Sequence, residues 1–185
     1  MKSKYFLLLP LAFFANTVLA HGKETHEKKP AIDYSKVEEK AFGKAADPKR
    51  AKRTMTVEMS DAMRFTPAEI TVKRGETVKF IIKNQGNIMH EMVLGTLGEL
   101  KEHGELMKKF PNMEHDEPYM AHVAPGKAGE MGWKFTRKGE FYYACLLPGH
   151  FEAGMVGKII VKERFCSAGF QPARKQNACA TVATK

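Results

Sequence analysis

Beyond its first twenty residues the sequence has no second long apolar segment, which excludes a chain that stays inserted in a membrane once those residues are removed. Residues 21–53 are poor in large apolar side chains, so they cannot bury enough surface to offset the entropy of ordering. Internal repeats are missing, which sets aside solenoids and arrays. Cysteine is scarce, with three in 185 residues. In an oxidising compartment an odd number leaves at least one free, paired between molecules or engaged in other chemistry. A one-signed charge is missing where it would matter most. The chain carries a formal +9, yet residues 54–161 hold thirteen Lys/Arg against fourteen Asp/Glu. The surplus sits in residues 21–53, ten against six, and in residues 162–185, five against one. A basic face on the folded part is what nucleic-acid binding would need, so no nucleic-acid partner is expected.

What is present begins with an export signal. Lys2 and Lys4 precede an apolar run from Tyr5 to Phe14, and Val18-Leu19-Ala20 supplies a small-residue stop. That layout is expected of a secretory signal peptide over residues 1–20, cleaved after Ala20, which would export the mature chain. Residues 21–53 then read as a flexible charged leader, briefly helical near Ser35 to Ala45. Residues 54–162 read as one domain of about 110 residues, and residues 163–185 as an unstructured tail.

From Thr54 onward the texture is that of short strands. Thr54 to Ser60, Ala68 to Lys73 and Thr77 to Asn84 are β-type runs, and the last two flank the turn Arg74-Gly75-Glu76. In the third, Val78, Phe80 and Ile82 alternate with Thr77, Lys79 and Lys83, the period of a half-buried strand. His90 to Leu94 is a further run. It leads into Leu97 to Phe110, where Leu97, Leu100, Leu106 and Phe110 fall at intervals that a helix could place on one side, ended by Pro111. Gly129 to Phe135, Glu140 to Leu146 and Val156 to Lys162 return to strands. Seven or eight strands in this length predict an all-β Greek-key sandwich with one helix in an inserted segment.

The chemistry is concentrated between two of these strands. Cys145, His150 and Met155 lie five residues apart on a loop rich in glycine, which can double back over one ion. Alone, each reads most simply as a core cysteine, a turn residue and a core filler. Together, thiolate and thioether are soft donors and imidazole is intermediate, a set that selects copper over oxygen-loving cations. One more imidazole would complete two nitrogens, one thiolate and a weak axial sulfur, and His90 is the candidate.

Asn84-x-Gly86-x-x-x-His90, followed by Tyr143-x-Cys145-x-x-Pro148-Gly149-His150-x-x-x-Gly154-Met155-x-Gly157, resembles the type 1 copper site of the cupredoxins. The spacing is similar to the rusticyanin-like and auracyanin-like branch. Met59 to Phe65 and Phe110 to Pro118 resemble periplasmic cupredoxins associated with bacterial copper tolerance. The resemblance implies an eight-stranded sandwich with one copper at one end, one-electron exchange, and a second histidine near the surface amid an apolar rim. Leu146, Leu147, Pro148 and Phe151 would form that rim, the docking surface for a redox partner such as a soluble cytochrome or a copper-handling protein. A monomer is expected.

Missing residues bear on catalysis as well. Multicopper oxidases and copper nitrite reductases flank the cysteine with histidine, whereas here the neighbours are Ala144 and Leu146. A dinuclear centre of the cytochrome oxidase type needs two cysteines in the loop, which holds one. The chain is therefore expected not to be an enzyme. An alternative is copper sequestration or chaperoning at a second, weaker site among His103, Met107, Met113, His115, Met120 and His122, set against ordinary packing and exposure. His21, exposed as a new N-terminus with His26 nearby, is another possible chelate beside a plain solvated tail. Cys166 and Cys179 could close a local disulfide.

Overall fold

Two facing sheets, rather than one curved sheet, accommodate the alternating strands. The computed structural model describes residues 32–110 and 116–164. Within them ten strands run in chain order: β1 Lys44–Ala45, β2 Arg53–Ser60, β3 Arg64–Thr66, β4 Glu69–Lys73, β5 Thr77–Asn84, β6 His90–Gly95, β7 Met120–Val123, β8 Ala128–Lys134, β9 Gly139–Ala144 and β10 Val156–Lys162. A single α-helix, α1, spans Leu97–Lys109. One sheet has the order β1-β8-β5-β2-β3 and the other β4-β10-β9-β6-β7. The pairs β2 with β5 and β4 with β10 are parallel, the rest antiparallel. Residues 1–31, among them the expected signal peptide, and the chain beyond Arg164, with Cys166 and Cys179, lie outside the described residues.

The core lies between the sheets because each inward face is apolar at every second residue. In β5, Val78, Phe80 and Ile82 are fully buried while Thr77, Lys79 and Ile81 are half-buried. β6 departs from alternation: all six residues are buried, since α1 covers the face that the sandwich does not. Val93, Leu100, Met107, Met120, Ala144 and Leu146 form that second cluster.

Three features differ from the sequence reading. Part of the presumed leader packs on the sandwich: β1 pairs with β8, and Phe42 stacks on Trp133 with ring centroids 5.1 Å apart, while Trp133 Nε1 donates to the Phe42 carbonyl. Burial of two aromatic faces supplies the apolar area that the composition of residues 21–53 as a whole lacks. The helix is capped by Thr96 and Glu99, which satisfy each other's backbone N–H groups. Its buried face is Leu100, Gly104 and Met107, while Leu106 and Phe110 are exposed. The short strands β3 and β7 were not anticipated, and β7 places Met120 and His122 on the same side of the sheet, away from the core face that Ala121 and Val123 occupy.

Candidate metal centre

The candidate ligands gather at the end of the sandwich where β2 and β5 finish and where β6 and β10 start. His90 opens β6, Cys145 directly follows β9, and Met155 directly precedes β10, so strands rather than free loops fix three of the four positions. His90 Nδ1, Cys145 Sγ and His150 Nδ1 converge: the two nitrogens are 3.3 Å apart and the sulfur is 3.2 Å from His150 Nδ1. All three donor atoms lie within 4.8 Å of one another, the spacing of groups around one ion. Met155 is fully buried; its N–H donates to the His150 carbonyl and its own carbonyl accepts from Cys145 N–H. The fold thus joins the two ends of the 145–155 loop by main-chain bonds.

His90 is oriented from behind. Its Nε2 lies 3.1 Å from Asp61 Oδ1, a contact that keeps the proton on Nε2 and leaves the Nδ1 lone pair facing Cys145 and His150. Asp61 is itself fixed by the Asn87 N–H at 2.8 Å, and this bond, with the His90 contact, holds its carboxyl below the usual range. Gly86 is required here, because a Cβ would sit 1.8 Å from Asp61 Oδ1. The buried Asn84 side chain ties the turn together, donating to the Ile88 and Val123 carbonyls and accepting from Gly86 N–H.

Cys145 is equally constrained. Its sulfur accepts from the Glu91 N–H at 3.5 Å. The Glu91 side chain, fully buried, accepts from Leu146 N–H at 2.8 Å, so one residue holds the chain on both sides of the thiol. Its other oxygen has no aligned hydrogen bond and faces His122 Nε2 at 2.8 Å. Burial pushes the Cys145 thiol up to about 12; Glu91 adds to the rise, and the N–H groups of Glu91 and Leu147 oppose it. Without a cation beside it the thiol stays protonated at neutral pH. Burial, and then the neighbouring His90 ring, hold His150 below the usual imidazole range, which leaves it neutral and able to donate a lone pair.

The loop carrying His150 is braced from outside. Arg64 Nη1 donates to the Ala153 carbonyl at 2.8 Å, and Lys108 of α1 bridges Glu105 and Glu152 at 2.6 and 2.5 Å. The surrounding rim differs from the expected one. Leu146 is buried under α1, whereas Leu147 and Phe151 are half-buried and Pro148 is exposed. Exposed Ile88 and Met89, just before His90, extend the apolar surface.

Sequence reasoning named the four inward side chains but not Asp61 or Glu91, whose roles exist only once distant strands meet. Tyr143 and Gly157 of the motif serve packing: the Tyr143 hydroxyl donates to the Pro67 carbonyl, and a Cβ at Gly157 would strike the tyrosine ring. Of the Met/His group, Met107 and Met120 are buried in the cluster beneath α1, and His103 lines a groove beside it. Met113 and His115 lie outside the described residues, as do His21 and His26.

A family model for copper binding proteins, the plastocyanin/azurin family, matches residues 51–162. This chain belongs to that family. It is 47% identical over 156 residues to a protein named copper-resistant cuproprotein CopI from Rubrivivax gelatinosus, covering 84% of this chain and 94% of the relative. A protein of the same name from Pseudomonas aeruginosa is 35% identical, with 66% and 83% covered. The one from Vibrio cholerae is 33% identical, with 86% and 99% covered. Among solved structures, auracyanin B matches in fold with a TM-score of 0.54 at 20% identity, over 65% of this chain and 96% of that one. The site fits the family's metal. Two imidazole nitrogens and one thiol sulfur converge, Met155 is buried and bonded through its main chain to Cys145 and His150, and thiolate, thioether and imidazole together are a donor set for copper.

Proposed function

We propose that this chain is an exported, periplasmic electron carrier serving copper tolerance, with one type 1 copper held by His90, Cys145, His150 and Met155. The convergence of two Nδ1 atoms and one Sγ within 4.8 Å carries this reading. The copper-resistance names of relatives spanning most of the chain support the physiological setting. A bound copper ion supplies one-electron chemistry between its cuprous and cupric states.

The residues of the chain do the remaining work. Cys145 gives up its thiol proton on metal binding, and the Glu91 N–H stabilises the sulfur anion that results. Asp61 holds the His90 tautomer, so its Nδ1 needs no rearrangement. Main-chain bonds within the 145–155 loop, with Arg64 and Lys108, keep His150 and Met155 in place when charge changes. A scaffold already set before electron transfer keeps reorganisation small. The half-buried His150, beside Leu147, Phe151 and Pro148, is the point where a soluble cytochrome or copper-handling partner would approach a monomeric carrier. No catalytic step is assigned, because Ala144 and Leu146 beside Cys145 offer no donor to a second metal.

The absorption spectrum of the copper-loaded protein tests this reading, combined with electron exchange against a soluble cytochrome. Intense visible thiolate-to-copper bands that vanish in Cys145→Ser, and exchange without loss of metal, are expected. Transfer of copper itself to a competing acceptor, faster than electron exchange, would instead make the protein a sequestrant or chaperone.

A further inference from the structure

The end of the sandwich opposite the metal ligands has its own chemistry. A groove of about 630 Å³ opens where β2 and β5 start and where β4 and β10 finish. β2 alone separates this pole from Asp61 by roughly 25 Å. Arg50, Lys52, Arg53, Lys73, Arg74 and Arg164 line it, against one acidic side chain, Glu76. The sequence scatters these six across the presumed leader, the domain and the presumed tail, so a near-neutral count for residues 54–161 conceals them. Folding gathers them around one concavity.

Their ion pairing is incomplete. Arg53 reaches Glu76 at 3.5 Å and Arg74 reaches Glu163 at 2.7 Å. Among the described residues, Arg50, Lys52, Lys73 and Arg164 form no ion pair. Glu76 is already committed, its second oxygen accepting from Lys73 N–H at 2.8 Å. Gathering unneutralised cations around a groove costs electrostatic energy that a bound anion would offset. Four of the six are arginines, whose planar forks match phosphate oxygens two at a time.

We infer that this groove is a binding site for a phosphate-bearing anion, separate from the metal centre. A headgroup phosphate and a free phosphate compound present the same oxygens to it. Bound to a headgroup, the protein would point its metal-bearing end away from the lipid surface.

The test uses the copper-loaded mature chain, titrated calorimetrically with inorganic pyrophosphate at about 0.15 M salt. Saturable one-to-one binding is expected. It should weaken about tenfold in the double variant Lys52→Glu, Lys73→Glu, and stay unchanged in Lys101→Glu on α1. Lys52 and Lys73 are exposed, and an unchanged melting temperature verifies that the double variant folds. Co-sedimentation with phosphatidylglycerol vesicles, reversed by pyrophosphate, identifies a headgroup as the source; pyrophosphate binding without sedimentation identifies a free phosphate compound. Absence of saturable pyrophosphate binding, or equal weakening by Lys101→Glu, overturns the inference.

Discussion

The two halves of the metal site are built differently. His90 is fully buried on a strand, fixed through Asp61, Gly86 and Asn84. His150 is half-buried on a loop, fixed by main-chain bonds and by two cationic side chains that brace its neighbours. One half is rigid because its surroundings are packed. The other is rigid because its backbone is tied, which leaves the imidazole near solvent. The proposed electron carrier would need both kinds of support, one to keep the site ordered and one to leave an edge open.

That contrast can be broken most forcefully by removing each imidazole. His90→Gly leaves a cavity inside the fold, so copper loading should fail and added imidazole should not restore the visible bands. His150→Gly opens a position near the surface, and imidazole in solution should restore them. Equal rescue at both positions would erase the distinction. Gly86→Ala attacks the packed half alone: its Cβ would collide with Asp61, and a loss of about 1–3 kcal/mol is expected in denaturant unfolding, with a disturbed visible spectrum.

The buried thiol sharpens the comparison through pH. In the copper-free protein, folding holds Cys145 near 12 against an ordinary value of 9.0, so the folded state favours the neutral thiol. The sign follows: the protein keeps full stability below about pH 9 and loses it as pH rises toward 12, by about 1.4 kcal/mol at pH 10. Unfolding of copper-free protein against pH checks this, and Cys145→Ser should remove that part of the slope. His150 acts at the other end of the scale. Its depressed value means stability present above about 6.5 is lost on acidification. The smallest effect is expected for Asp61→Asn, which keeps the shape but removes the charge behind His90. Copper affinity should fall about tenfold, read by competition with a chelator, and the reduction potential should rise.

Much of the architecture was legible because burial imposes a period of two. The strands Thr77–Asn84 and Val156–Lys162 can be read directly from their alternation, and the regular spacing of Cys145, His150 and Met155 marks the loop. β1 was not legible, since two residues carry no period and their pairing depends on Phe42 meeting Trp133 across the sequence. The helix face was misjudged because Leu106 and Phe110 match the spacing, while the face that is buried runs through Leu100, Gly104 and Met107. Asp61 and Glu91 were not singled out by any sequence pattern. Their positions behind His90 and beside Leu146 N–H arise from contacts across 29 and 55 residues of chain, which no local pattern encodes. The six cations of the far groove were hidden for the same reason.

X-ray absorption at the copper edge of the loaded, full-length mature protein probes the proposed ligand set most directly. Two imidazoles and one short copper–sulfur bond are predicted, with the short bond lost in Cys145→Ser. A first shell made only of nitrogen and oxygen, unchanged by that substitution, would contradict the account.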